Sequence, residues 1–107
     1  MLYRDEYGRT YRVSDHDYRR LSIMKSSLSA KSTSVGFEKS RLSSMANEVD
    51  RARIGLDRTS QYAVDSFNRK VGQVNTMNRR VQNLVDGYNQ DVNAFNRELE
   101  SVGTLIR

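Results

Sequence analysis

The sequence predicts an all-α protein, a coiled-coil helical hairpin of two long antiparallel helices with a short N-terminal β-hairpin. Three observations predict it. Apolar residues recur every seven positions through most of the chain, proline is absent, and the frame of the repeat changes near Leu56. The same pattern also permits one continuous long helix in a multi-stranded coiled coil, which would absorb the extra residue as a local change in winding.

Residues 1–14 read as a β-hairpin or arm. The string from Leu2 to Val13, LYRDEYGRTYRV, alternates in polarity and places Gly8 behind an Asp-Glu-Tyr stretch. Tyr3, Tyr11 and Val13 are the residues available for packing. Because an isolated hairpin is marginal in water, this one is expected to lie on a helix or on a partner.

The first helix is expected over 15–54. Ser14 is placed to be its N-cap, Asp17 occupies the N3 position of a capping-box variant, and Val13 with Tyr18 fits a hydrophobic staple. Acids in that first turn complement the helix dipole. Beyond the start, Leu21, Leu28, Val35, Leu42, Val49, Leu56 and Ala63 recur at sevens, whereas the companion positions (Met24, Lys31, Glu38, Met45, Ala52, Thr59) are weaker. The stretch from Tyr18 to Arg41 is Ser-rich and carries Arg19, Arg20, Lys25, Lys31, Lys39 and Arg41 against Glu38 alone, a balance of +5 that equals the net charge of the whole chain. Serine lowers helix propensity, so this stretch is expected to be the least stable part.

A turn is expected at 55–57, with Gly55 in the left-handed position after the first helix, Leu56 packing beyond it and Asp57 capping the next. The second helix then covers 58–107. Its a positions are Val64, Val71, Asn78, Val85, Val92, Leu99 and Ile106, and its d positions are Phe67, Val74, Val81, Tyr88, Phe95 and Val102; all but Asn78 are apolar or aromatic. This stripe is the predicted association seam. Asn78 within it is expected to fix register at a cost in stability. The flanking e positions hold an amide in five consecutive heptads, Asn68, Asn75, Gln82, Asn89 and Asn96, which can form a hydrogen-bonded ladder or serve as a plain polar flank. Apolar Met77, Leu84 and Leu105 at g widen the stripe, and β-branched Val74 and Val81 at d favour three or more helices around the core. A dimer of hairpins meets that demand.

With 36% apolar residues and a mean hydropathy of -0.77, a compact globule would bury little, whereas a striped helix pair suits the composition. Cysteine is absent, which excludes disulfides and thiol chemistry. His16 is the lone histidine, in a first turn where Asp15 and Asp17 project in other directions, and the acids of the pairs Glu48/Asp50 and Glu98/Glu100 sit two apart, so they do not face one another and read as solvated faces. No phosphate-binding loop, dinucleotide fingerprint or metal-binding helix motif is present. No enzymatic activity, cofactor or metal is therefore expected. Neither a signal-peptide core nor a transmembrane run is present in the chain, which is expected to be soluble and gives no compartment.

Two function classes follow. The first is a non-enzymatic structural or assembly protein that acts by coiled-coil protein-protein association, as a homo-oligomer or with a partner helix. The alternative is a basic helical nucleic-acid-binding protein, with a sequence pI near 9.8, tyrosines that stack on bases, and phosphate contacts from Arg9, Arg12, Arg19, Arg20, Lys25 and Lys31. Against it, Asp5, Glu6, Asp15 and Asp17 neutralise much of the N-terminal charge. A membrane-surface role for residues 15–31 is disfavoured by a narrow apolar stripe without Trp or Phe.

Overall fold

A computed structural model describes residues 1–106. In chain order it contains strands β1 (Leu2–Arg4) and β2 (Thr10–Arg12), helix α1 (Asp15–Ile54), helix α2 (Gln61–Val102) and strand β3 (Thr104–Ile106). The two helices pack against each other as a hairpin, so the continuous-helix alternative does not apply.

Two compact units make up the chain, one of Met1–Ser32 with Gly87–Arg107 and one of Thr33–Asp86. In the first, β1 and β2 form the expected hairpin, with Tyr3 opposite Tyr11. Its turn is organised by Asp5, whose Oδ1 accepts from the backbone N–H groups of Tyr7 and Arg9 at 3.0 and 2.8 Å. Gly8 there takes a φ of 80°, which a side chain rarely adopts. The third strand is a finding that heptad spacing does not announce. β3 pairs antiparallel with β2, Leu105 opposite Tyr11, giving the order β1-β2-β3. The second helix, expected to run through 107, therefore stops at Val102, and Leu105 and Ile106 are strand residues rather than g and a positions.

The reason lies at Gly103. A Cβ there would stand 2.8 Å from the Leu99 carbonyl oxygen and 3.0 Å from Tyr11 Cβ, so only glycine lets the chain cross Tyr11 this closely. The core beneath the sheet gathers Tyr3, Tyr11, Val13, Leu21, Phe95 and Leu99, with Tyr18, Met24, Leu28 and Val102 packed against it. The predicted cap forms: Asp17 N–H donates to Ser14 Oγ at 3.1 Å, and Ser14 Oγ donates to Asp17 Oδ2 at 2.9 Å. Caps of this kind stabilise by about 1 kcal/mol.

In the second unit the middle of α1 lies against the first half of α2, and residues 55–60 connect them. This connection differs from the expected three-residue turn. Gly55 does not adopt a left-handed conformation; its N–H continues to the Arg51 carbonyl at 3.4 Å, and Leu56 N–H bonds back to Arg53. Asp57 accepts from Thr59 N–H and Thr59 Oγ1, at 3.0 and 2.6 Å, and so closes a local turn instead of capping α2. The cap falls to Ser60, whose Oγ accepts from Ala63 N–H at 3.2 Å. Asp and Ser are comparable caps, and here the Asp-Arg-Thr turn occupies Asp57 first, which delays the helix to Gln61.

Candidate association surface

In each unit, the seam predicted on α2 faces α1. Within the first unit Phe95 and Leu99 are buried and Tyr88, Val92 and Val102 half-buried; within the second, Val81 is buried and Val64, Phe67, Val71, Val74 and Val85 are half-buried. The α1 heptad residues answer them, Leu21 and Val49 buried and Leu28, Val35 and Leu42 half-buried. Ile106 and Asn78 depart from the prediction. Ile106 is exposed on β3, and Asn78 is exposed while Met77 is buried in its stead. At about 3.6 residues per turn, Met77 and Asn78 straddle the inward direction, and the apolar side chain takes it because burying an unpaired amide costs more.

The weak companion positions of α1 are matched in charge by α2, which spacing alone does not reveal. Lys31 makes an ion pair with Asp91 in the first unit, and Glu38 faces Arg80 at 3.8 Å in the second. Arg20 bridges Asp17 on its own helix and Glu98 on α2. The exposed pairs of Arg20 and Lys31 contribute roughly 0–1 kcal/mol and chiefly select the facing partner, whereas the Glu38 carboxylate is largely covered and its Oε2 lacks a hydrogen-bond partner among the described residues.

The amide flank does not form a ladder inside the chain. Asn68, Asn75, Gln82 and Asn89 are exposed and Asn96 is half-buried, because α1 covers the a, d and g side of α2 and leaves the e side to solvent.

The residues predicted for nucleic-acid contact all belong to the first unit, and the structure commits most of them internally. Arg9 is bound to Asp5 through Nε at 2.7 Å and lies over the rings of Tyr7 and Tyr11. Arg20 and Lys31 are in the ion pairs above. Lys25 Nζ sits 6.0 Å over the ring of Tyr3, while Arg12 and Arg19 are exposed. Of the tyrosines offered for base stacking, Tyr3 and Tyr11 are 7% and 4% exposed, whereas Tyr7 is exposed. Burial, with the nearby Glu6, Tyr18 and Asp5, raises the Tyr3 phenol above its ordinary value, and its hydroxyl lacks a partner among the described residues.

Burial works to raise the Asp5 carboxyl too, but the side-chain and backbone hydrogen bonds from Arg9, its charge, and the Tyr7 N–H prevail and hold it below its usual value. A carboxyl lowered on folding contributes stability above its unfolded value, and that contribution is lost as pH falls through about 4 and below. The stability difference between the wild type and Asp5→Asn is therefore expected to be full at neutral pH and to shrink through that range. Urea melts at a series of pH values measure it, and a difference independent of pH would contradict it.

A cavity of about 250 Å³ opens in the first unit between the Asp5–Tyr7 turn and the helices, lined by Leu28, Val92 and Phe95 and by Lys25 and Asn96. Among the described residues no three His, Cys, Asp or Glu side chains converge as metal ligands would, His16 is exposed, and no helix is long and apolar enough to cross a membrane. No protein-family model, no curated protein and no solved structure matches this chain.

Proposed function

We propose that this protein is a non-enzymatic structural or assembly subunit that works by helix-helix association, with a copy of itself or another helical protein as partner. The observation that carries this reading is the thin core of the second unit. Only Val49, Met77 and Val81 are buried there, while Val64, Phe67, Val71, Val74, Leu42 and Met45 stay half-covered. Two helices cannot enclose a stripe this wide, whereas additional helices complete it, as in a bundle. Completing the burial of each such side chain is worth on the order of 1 kcal/mol. The internal pairing of Arg9, Arg20 and Lys31, and the burial of Tyr3 and Tyr11, weigh against the nucleic-acid alternative.

Sedimentation velocity on the purified chain at low and high salt is the test. The expected result is a discrete multiple of the 12.4 kDa chain, little changed by salt because apolar contact dominates the seam. A folded chain that remains monomeric in both buffers, and recovers no helical protein from its own source, would sink the proposal.

A further inference from the structure

A second surface of the second unit lies on the opposite side of α2 from the seam. A solvated helix face ordinarily carries Lys and Glu, which are good helix formers; this one carries Asn75, Gln82 and Asn83 around Arg79 and Asp86, all exposed. Asparagine is a poorer helix former than Lys or Glu, so helix formation does not account for Asn75 and Asn83, and Gln82 forms helix as well as Lys or Glu without adding charge. Gly72, on the same face, is also exposed, and nothing lies within 4 Å of the point where its Cβ would stand, so no internal packing requires it. Neither Arg79 nor Asp86 has an ion-pair partner among the described residues.

The two charges are placed symmetrically. Arg79 and Asp86 sit equally far, about 5 Å along the helix, on either side of the midpoint between Gln82 and Asn83. Seven residues make nearly two turns, so both point from the same side of the helix. Laid antiparallel against a second α2 with a two-fold axis through that midpoint, each Arg79 comes level with the other copy's Asp86, and the amides of Gln82 and Asn83 meet at the axis. A parallel alignment in register would instead set arginine beside arginine.

We propose that this face of α2 is an isologous docking surface for a second copy of the same chain, held by two reciprocal Arg79–Asp86 pairs around a central cluster of amide hydrogen bonds. Such self-complementarity is what a two-fold interface requires: the same patch on both subunits, each residue's partner returning the contact. The amides supply donor and acceptor together, so identical residues can satisfy one another across the axis. Gly72 leaves the backbone bare where another helix approaches. The inference rests on the association reading but uses a surface the seam does not.

The chain has no cysteine, so Gln82→Cys introduces a single thiol close to the proposed axis. With a short bifunctional thiol reagent, the full-length variant is expected to give a covalent two-chain product. Adding Arg79→Asp should reduce that product about tenfold or more, by turning both attractions into repulsions, and adding Asp86→Arg as well should restore it. Absence of the product in a chain that still sediments as a multimer overturns this docking surface and leaves the seam reading intact. A product unaffected by Arg79→Asp, or not restored by the double exchange, overturns the pairing as well. A monomer that gives no product fails both readings. Helical circular dichroism of each variant, at exposed positions where folding is not at risk, keeps these outcomes apart.

Discussion

Phe95→Ala is expected to destabilise the protein by about 3–5 kcal/mol. Phe95 is 6% exposed, and its ring lies 6.0 Å from Tyr3 at an interplanar angle of 58°. Tyr3 in turn meets Tyr18 edge-on at 6.1 Å. Removing the phenyl group leaves a void beneath the sheet and withdraws the support of the tyrosine pair, two losses that fall on one small core. Since domains of this size are stable by only about 5–15 kcal/mol, the loss is a large share of the total. Urea denaturation followed by far-UV circular dichroism and by tyrosine fluorescence gives the value. A midpoint within error of the wild type would mean that Phe95 does not sit in this core.

Gly103→Ala is expected to have the next largest effect, about 1–3 kcal/mol, from overpacking. The added methyl would meet Leu99 carbonyl oxygen at 2.8 Å and Tyr11 Cβ at 3.0 Å, and the first of these is backbone that cannot rotate aside. Gly103 N–H also bonds Leu99 carbonyl oxygen at 2.9 Å, so retreat would break the bond that ends α2. Substituting alanine for a helix-terminal glycine in open space would be nearly neutral or stabilising. Gly36→Ala is the control, because Gly36 is exposed within α1 and nothing lies within 4 Å of its Cβ position. Loss of stability at Gly103 in thermal melts, without loss at Gly36, is the expected pair of results; equal effects would count against the close crossing of Tyr11.

What the residues disclose in advance is what local chemistry decides. Ser14 and Asp17 name the start of α1 because a cap needs only neighbours, and the alternation around Gly8 names the hairpin for the same reason. The heptads locate the helix faces, since the stripe must be buried wherever the helices meet. Where two readings satisfy local chemistry equally, distant contacts decide. Leu105 and Ile106 continue the heptads without fault, and only the passage of Gly103 over Tyr11, ninety-two residues earlier in the chain, converts them to a strand. Met77 and Asn78 share the inward position, and it is the cover provided by α1 that selects methionine. Asp57 and Ser60 can both cap α2, and the hydrogen bonds of Thr59 settle the choice. The charge matches of Lys31 with Asp91 and Glu38 with Arg80 required the alignment of two helices, although the signs were visible as soon as the helices were known to be antiparallel.

The order of the sheet has a mechanical consequence. Because β2 runs antiparallel to both neighbours, β1 and β3 run the same way, and β1 begins at the level of Thr104 while β3 ends at the level of Arg4. Tension between the start of β1 and the end of β3 therefore acts along the strands. The ladder hydrogen bonds lie across that direction, so they resist as a set in shear instead of parting one at a time as in an unzipped hairpin. Three residues per strand make a short clasp, but one whose geometry favours carrying load between its two outer strands.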